Sequence, residues 1–167
     1  MSRQTLATAF HAKISEQIER TRHLIALLPE NSTAWTPAIP GAWTVGELTG
    51  HLLDCLAGFC AALHAAAPAP SLAALRELSV NHACTAAEAT ARIAAYKEAL
   101  DQAFAQVTDE DLAIRIPTVF TRNGELLLTL LLGNLEHLIN HKHQLFTCLK
   151  MMGVSVASAD LYRFRAD

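Results

Sequence analysis

Little of this 167-residue chain is charged or aromatic: Asp, Glu, Lys and Arg make up 17% of it, and Phe, Trp and Tyr only 6%. Such a mix suits packed helices better than a β-sandwich. Basic residues do not prevail, with 13 Lys and Arg against 16 Asp and Glu and a net charge of −3. No cluster of Lys and Arg stands out, so a general attraction to nucleic acid is not expected. The amino terminus, MSRQTLATAF, has one Arg and no long apolar run, which argues against a secretory signal. No stretch of about 20 apolar residues is present either, so no membrane span is expected. The longest candidate, Leu126 to Leu132, is interrupted by Thr129 and followed by Gly133, Asn134, Glu136 and His137, and reads as a buried helix. Internal repeats are lacking, and the one biased tract is Ala65 to Pro70. The four cysteines, Cys55, Cys60, Cys84 and Cys148, contain no C-x-x-C pair. They read as buried free thiols of a cytoplasmic protein rather than a disulfide framework.

What is present is apolar aliphatic: 51% of the residues are hydrophobic, mostly Ala and Leu, enough for a full core in one domain over residues 1–167. Four long helices follow from the pattern. The first runs from about Arg3 to Leu27, with Phe10, Ile14, Ile18, Ile25 and Leu28 at helical spacing and Pro29 as its stop. Pro37, Pro40 and Gly41 mark a loop from Pro29 to Trp43. The second helix opens at Thr44, forms a capping box with Glu47, and runs to about His64, burying Leu48, Leu52, Cys55, Phe59 and Leu63. A short helical turn is expected at Leu72 to Leu78. The third helix opens at Thr85 with a second capping box to Glu88 and ends near Val107. From Leu112 to Glu125 the residues Ile114, Ile116, Val119 and Phe120, with Pro117 and an Asn123-Gly124 turn, predict an extended connection or small hairpin. The fourth helix spans about Leu126 to Met152, ended by Gly153. The tail through Tyr162, Arg163, Phe164 and Arg165 either docks on the bundle or frays. The fold class is all-α, a four-helix bundle.

Eight histidines are a raised count, and their placement carries more than their number. His137 and His141 lie four apart on one helix face, with Cβ atoms roughly 5–6 Å apart. Two imidazoles so placed can meet one metal with bonds of about 2.0–2.1 Å. The pair alone does not specify a metal. His51, within Leu48-Thr49-Gly50-His51-Leu52-Leu53-Asp54, lies in a largely buried turn, and in isolation reads as a core histidine bonded to Thr or Asp. In a bundle, however, inward-facing side chains from different helices converge. One histidine from the second helix and two from the fourth would give three nitrogen ligands with positions left open, the arrangement of catalytic zinc rather than of closed structural sites. Asp54, Asn134 and Gln144 are candidates to orient those rings, whereas Glu47 is better explained as the cap. Cys55, one turn after His51, either closes a three-His, one-Cys structural centre or is an ordinary buried thiol. His143 points about 200° away from His141 and is expected outside the ligand set. His11, His23, His64 and His82 read as surface or packing residues.

Two stretches resemble a known family. Trp43-Thr44-Val45-Gly46-Glu47-Leu48-Thr49-Gly50-His51-Leu52-Leu53-Asp54 resembles the W-[ST]-x-x-E-x-x-x-H-[LI]-x-[DE] segment of the DinB/YfiT-like metalloenzymes. His137-Leu138-Ile139-Asn140-His141-Lys142-His143-Gln144-Leu145 resembles that family's H-x-x-x-H-[RK]-x-Q-[LIV] segment. The resemblance implies an up-down-down-up bundle, often a homodimer, with a divalent metal, commonly zinc or nickel, on His51, His137 and His141. It also implies activation of a low-molecular-weight thiol, as in thiol S-transferases, although many members have no known reaction. His143 departs from the family, where a small residue is frequent.

The expected activity is therefore that of a metal-dependent thiol transferase, or of a hydrolase if water is the nucleophile. No catalytic residue beyond the ligands is assigned. The alternative is a non-catalytic metal- or ligand-binding helical module, which gains weight because no general base stands out. A small-molecule substrate is expected, with neither nucleic acid nor membrane as partner.

Overall fold

The structure, a computed structural model, describes residues 5–76, 83–118 and 121–162. In chain order it contains α1 (Leu6–Ala26), α2 (Val45–Ala66), α3 (Pro70–Arg76), α4 (Ala86–Phe104), β1 (Arg115–Ile116), β2 (Glu125–Leu126), α5 (Leu127–Met151) and α6 (Ser158–Tyr162). The protein is mostly helical. Helix α2 packs on α4 and α5, and α1 packs on the same two helices, so the four long helices share one core.

Capping decides where the helices start. Thr5 accepts the N–H of Thr8 at 3.1 Å, and Asp109, from the loop after α4, accepts that of Ala7 at 2.8 Å. These bonds satisfy donors that the first turn leaves free, and α1 accordingly begins at Leu6, three residues later than the pattern predicts. Thr44 and Glu47 form the reciprocal capping box expected at α2. Hydrogen bonds from the Thr44 backbone and hydroxyl hold the Glu47 carboxyl below its ordinary range. Thr85 accepts the Glu88 N–H at 3.2 Å. Helix α4 ends at Phe104 rather than Val107, because after Ala105 the Gln106 and Val107 N–H groups turn to the carbonyls three residues back, of Ala103 and Phe104.

Helix α2 alone among the described helices has the length and mean hydropathy of a membrane span. Its surroundings explain the composition. Fourteen of its 22 residues are buried against other helices, including the whole expected stripe of Leu48, Leu52, Cys55, Phe59 and Leu63. Burial of each Leu or Phe contributes about 1.5–3 kcal/mol. All four cysteines are buried and free.

The predicted hairpin is present in reduced form. Arg115 pairs with Leu126 and Ile116 with Glu125, antiparallel. Gly124 adopts φ +70°, and a Cβ there would stand 2.6 Å from the Ile116 carbonyl oxygen, so the turn requires glycine. Helix α5 has no side-chain cap; instead the Leu127 N–H donates to the Ile114 carbonyl at 2.8 Å, tying the helix start to the hairpin. At its far end Gly153, with φ +82°, terminates α5 as expected. After it, α6 docks on α1, where Leu161 is buried and His23 donates to Asp160 at 2.9 Å. Arg3, Leu78, His82, Val119, Phe120 and Arg163 to Arg165 lie outside the described residues.

One buried polar contact ties α5 to α1. Lys142 donates from Nζ to Gln17 Oε1 on α1 at 2.6 Å, and both residues are 3% exposed. Burial first, and then the nearby Arg20 charge, pushes the Lys142 ammonium down to about 8. Arg20 in turn pairs with Glu16. With Lys142 fixed toward α1, the adjacent turn of α5 presents His137 and His141 toward α2.

Candidate metal centre

The capping box at Thr44 fixes the phase of α2, and two turns later His51 emerges half-buried beside fully buried Leu52 and Leu53. From α5, His137 and His141 reach the same place. Their ring centroids are 4.6 Å apart. The His51 ring lies 5.0 Å from that of His137 and 4.4 Å from that of His141. The three imidazoles thus converge, but at the solvent-open edge of the α2–α5 seam rather than in the core, since His137 is exposed.

His51 Nε2 and His137 Nε2 are 3.1 Å apart. Two nitrogens bonded at about 2.0–2.1 Å to one tetrahedral ion stand about 3.3–3.4 Å apart, so the spacing suits a shared cation. It also suits one N–H···N hydrogen bond. The His141 ring adjoins both, but the ligand atom that lies within 4.8 Å of both a His51 and a His137 nitrogen is the Cys55 thiol rather than a His141 nitrogen.

The tautomers agree with a shared cation. Gln144 Oε1 can only accept, so the 2.8 Å contact with His141 Nδ1 requires the proton on Nδ1 and leaves the neutral ring's lone pair on Nε2. Asp54 Oδ2 is 3.6 Å from His51 Nδ1, an electrostatic contact that favours a proton on that nitrogen. Burial, followed by the neighbouring His141 and His137, holds His51 below its ordinary pKa against the opposing pull of Asp54. Burial and then His141 do the same for His137. Both rings are therefore neutral at pH 7, with lone pairs free to ligate.

Of the residues expected to orient the rings, Asp54 and Gln144 are in place. Asn134 instead faces Gly58 of α2, where an added Cβ would stand 2.7 Å from its Oδ1. It marks the close approach of α2 and α5. Glu47 is engaged in its cap. His143 is exposed and neighbours Phe146, with ring centroids 6.1 Å apart.

Cys55 belongs to the same neighbourhood. One potential ligand atom each from His51, Cys55 and His137 all lie within 4.8 Å of one another, the only such trio among the described residues. Its thiol donates to the His51 carbonyl at 3.4 Å, and burial, reinforced by Asp54, pushes it up to about 12. A second residue, Trp43, was visible in the sequence only as part of a motif. Its ring lies 4.7 Å from His51 and 5.6 Å from His141, stacked on the latter at 26°. The signal that could have placed it is its position just before the Thr44 cap, two helical turns ahead of His51. A cleft of about 400 Å³ opens beside Trp43 and His141.

Comparison with known proteins agrees with this architecture. No curated protein matches the chain. A crystal structure of a DinB-like protein, YjoA from Bacillus subtilis, superposes with a TM-score of 0.69 at 19% identity, covering 89% of this chain and 94% of that one. The fold is thus DinB-like. The sequence model of the DinB superfamily matches residues 13–145, a span that includes all three converging histidines. The chain belongs to the DinB superfamily.

Proposed function

We propose that the protein holds one divalent metal ion, zinc or nickel, on His51, His137 and His141, within an up-down-down-up arrangement of its four long helices. The convergence of three imidazole rings, with centroids 4.4–5.0 Å apart, carries this reading. An ion held on three neutral ligands keeps its charge and supplies Lewis acidity, lowering the pKa of a thiol or water brought to it. The chain's own residues prepare the place. Gln144 and Asp54 fix ring orientation, and the Trp43 indole packs against His51 and His141. The open edge leaves access for a small thiol or for water, so the activity read from this site is thiol transfer to an electrophile, with hydrolysis as its close variant.

A specific observation favours a second reading. Cys55 is near enough to His51 and His137 to join a closed, non-catalytic centre. Against it stand the thiol's burial and its bond to the His51 carbonyl. Cobalt-substituted protein separates the readings. The open three-histidine site shows no thiolate charge-transfer band until a thiol such as 2-mercaptoethanol is added. A band present beforehand assigns Cys55 as a ligand and overturns the catalytic reading. No band after addition removes the thiol version and leaves water.

A further inference from the structure

The cleft beside His141 has a wall unlike the rest of the surface. Ile39, Trp43 and Met151 converge on it while 59%, 45% and 48% exposed, and they are three of the eight large hydrophobic residues that the described chain leaves exposed. Leu48 lies behind them. No Lys, Arg, Asp or Glu is among the described residues that line it. Of the lysines adjacent in sequence to lining residues, Lys142 turns to Gln17 on α1 and Lys150 places its ammonium over the Phe146 ring at 4.7 Å. Polar groups enter from α5 only: His141, His143 and Gln144, with the Cys148 thiol and with Thr147, whose hydroxyl is already donated to the His143 carbonyl at 3.1 Å.

The cleft is also preformed. Pro40 and Gly41 occupy the centre of a turn closed by the Ala42 N–H on the Ile39 carbonyl at 3.1 Å. Gly41 has φ +75°, the value a Pro-Gly turn requires at its third position. The Val45 N–H donates to the Trp35 carbonyl at 2.8 Å and pins the other end of the loop. Ile39 and Trp43 are therefore held apart by backbone bonds rather than collapsed onto each other. Apolar side chains kept in water at a preformed concavity, contiguous with a reactive centre, mark a binding site for apolar matter.

We infer that this cleft binds the uncharged, apolar or aromatic body of the substrate and directs its single polar group toward His141 and Gln144. The inference rests on the three-histidine reading only for the direction in which that polar group points. His143, exposed at the rim, stands where a wider ring system would have to enter.

The probe is 2-naphthol, followed by calorimetry and by the indole N–H resonances of the as-purified protein, with metal content measured on the same samples. It is expected to bind and to shift one of the two indole resonances, the one lost in Trp43→Phe. Methyl glucoside, uncharged but polar throughout, is expected not to bind. Met151→Glu and Ile39→Lys each place a charge in the wall and weaken 2-naphthol about tenfold or more, while metal content stays the same. His143→Gly admits a wider ring, such as pyrenol, that the parent protein binds weakly. Binding without a shift at Trp43, or binding that neither charged variant weakens, overturns the inference. A folded sample that binds 2-naphthol at Trp43 yet takes up no metal supports the cleft and overturns the metal reading instead.

Discussion

On the α1–α4 side of the molecule His11 has its partners supplied. Its ring donates to Asp101 at 2.8 Å and stacks on Phe104 with centroids 4.8 Å apart. On the α2–α5 side His51, His137 and His141 have chiefly one another, and Asp54 and Gln144 contact only the nitrogens turned away from the shared centre. The two places use the same residue type in the same kind of half-exposed seam. What differs is whether the polar partner of each ring is complete within the protein. His11 finds a carboxylate within the protein, whereas His51 and His137 face each other across 3.1 Å at an open edge, an arrangement suited to the proposed ion.

The comparison breaks most visibly when ligands are removed. His137→Ala combined with His141→Ala is expected to abolish bound metal, whereas His11→Ala leaves the metal content of the parent; metal analysis of the purified proteins checks both. Weaker disruption comes from the orienting groups. Gln144→Ala and Asp54→Ala should each lower metal affinity about 10–100-fold, read by competition with a chelating dye.

Packing between the two helices gives the next effect. Gly58→Ala puts a methyl against the terminal amide of Asn134, which must swing aside, while gaining about 1 kcal/mol of helix propensity, so denaturant unfolding should change by less than about 1 kcal/mol.

Acid distinguishes the two sides as well. His51 and His137 titrate below 6.5 in the folded chain, so the unfolded chain binds protons more readily beneath that value. Metal-free stability is then full above pH 6.5 and falls as pH drops toward the folded pKa values, and metal binding weakens over the same window. The smallest effect belongs to Asp101. Burial pushes its carboxyl up, but hydrogen bonds from Lys97 and His11 outweigh this and hold it below 3.8. Its stabilisation is present above pH 3.8 and lost as pH falls through the lower folded value. Because the side chain is 41% exposed, Asp101→Asn should cost only about 0.5 kcal/mol at pH 6. That deficit should vanish in acid, as thermal melts at both pH values would show.

Much of this was legible in the sequence because helices announce themselves locally. Thr44 with Glu47 and the residues around Gly153 fixed the ends of α2 and α5 within about two residues, since caps satisfy their own backbone. The spacing of His137 and His141 placed two rings on one face. The start of α1 was less legible because Asp109, about a hundred residues away, completes its cap. Asn134 was misplaced for a similar reason: helical spacing puts it near His137, but only the close approach at Gly58 shows where it is used. The depth of the site was also misjudged. Leu52 and Leu53 do lie in the core, yet their neighbour His51 turns to an open seam whose exposure depends on how α5 is rotated, and that rotation follows from its buried face of Leu131, Leu135, Leu138 and Leu145 together with the Lys142–Gln17 bond across to α1.

X-ray absorption of the metal-loaded protein tests the central claim most directly. Three imidazole nitrogens at about 2.0–2.1 Å with no protein sulfur are predicted. A sulfur neighbour near about 2.3 Å in the absence of added thiol, or imidazole scattering from fewer than three rings, would contradict it.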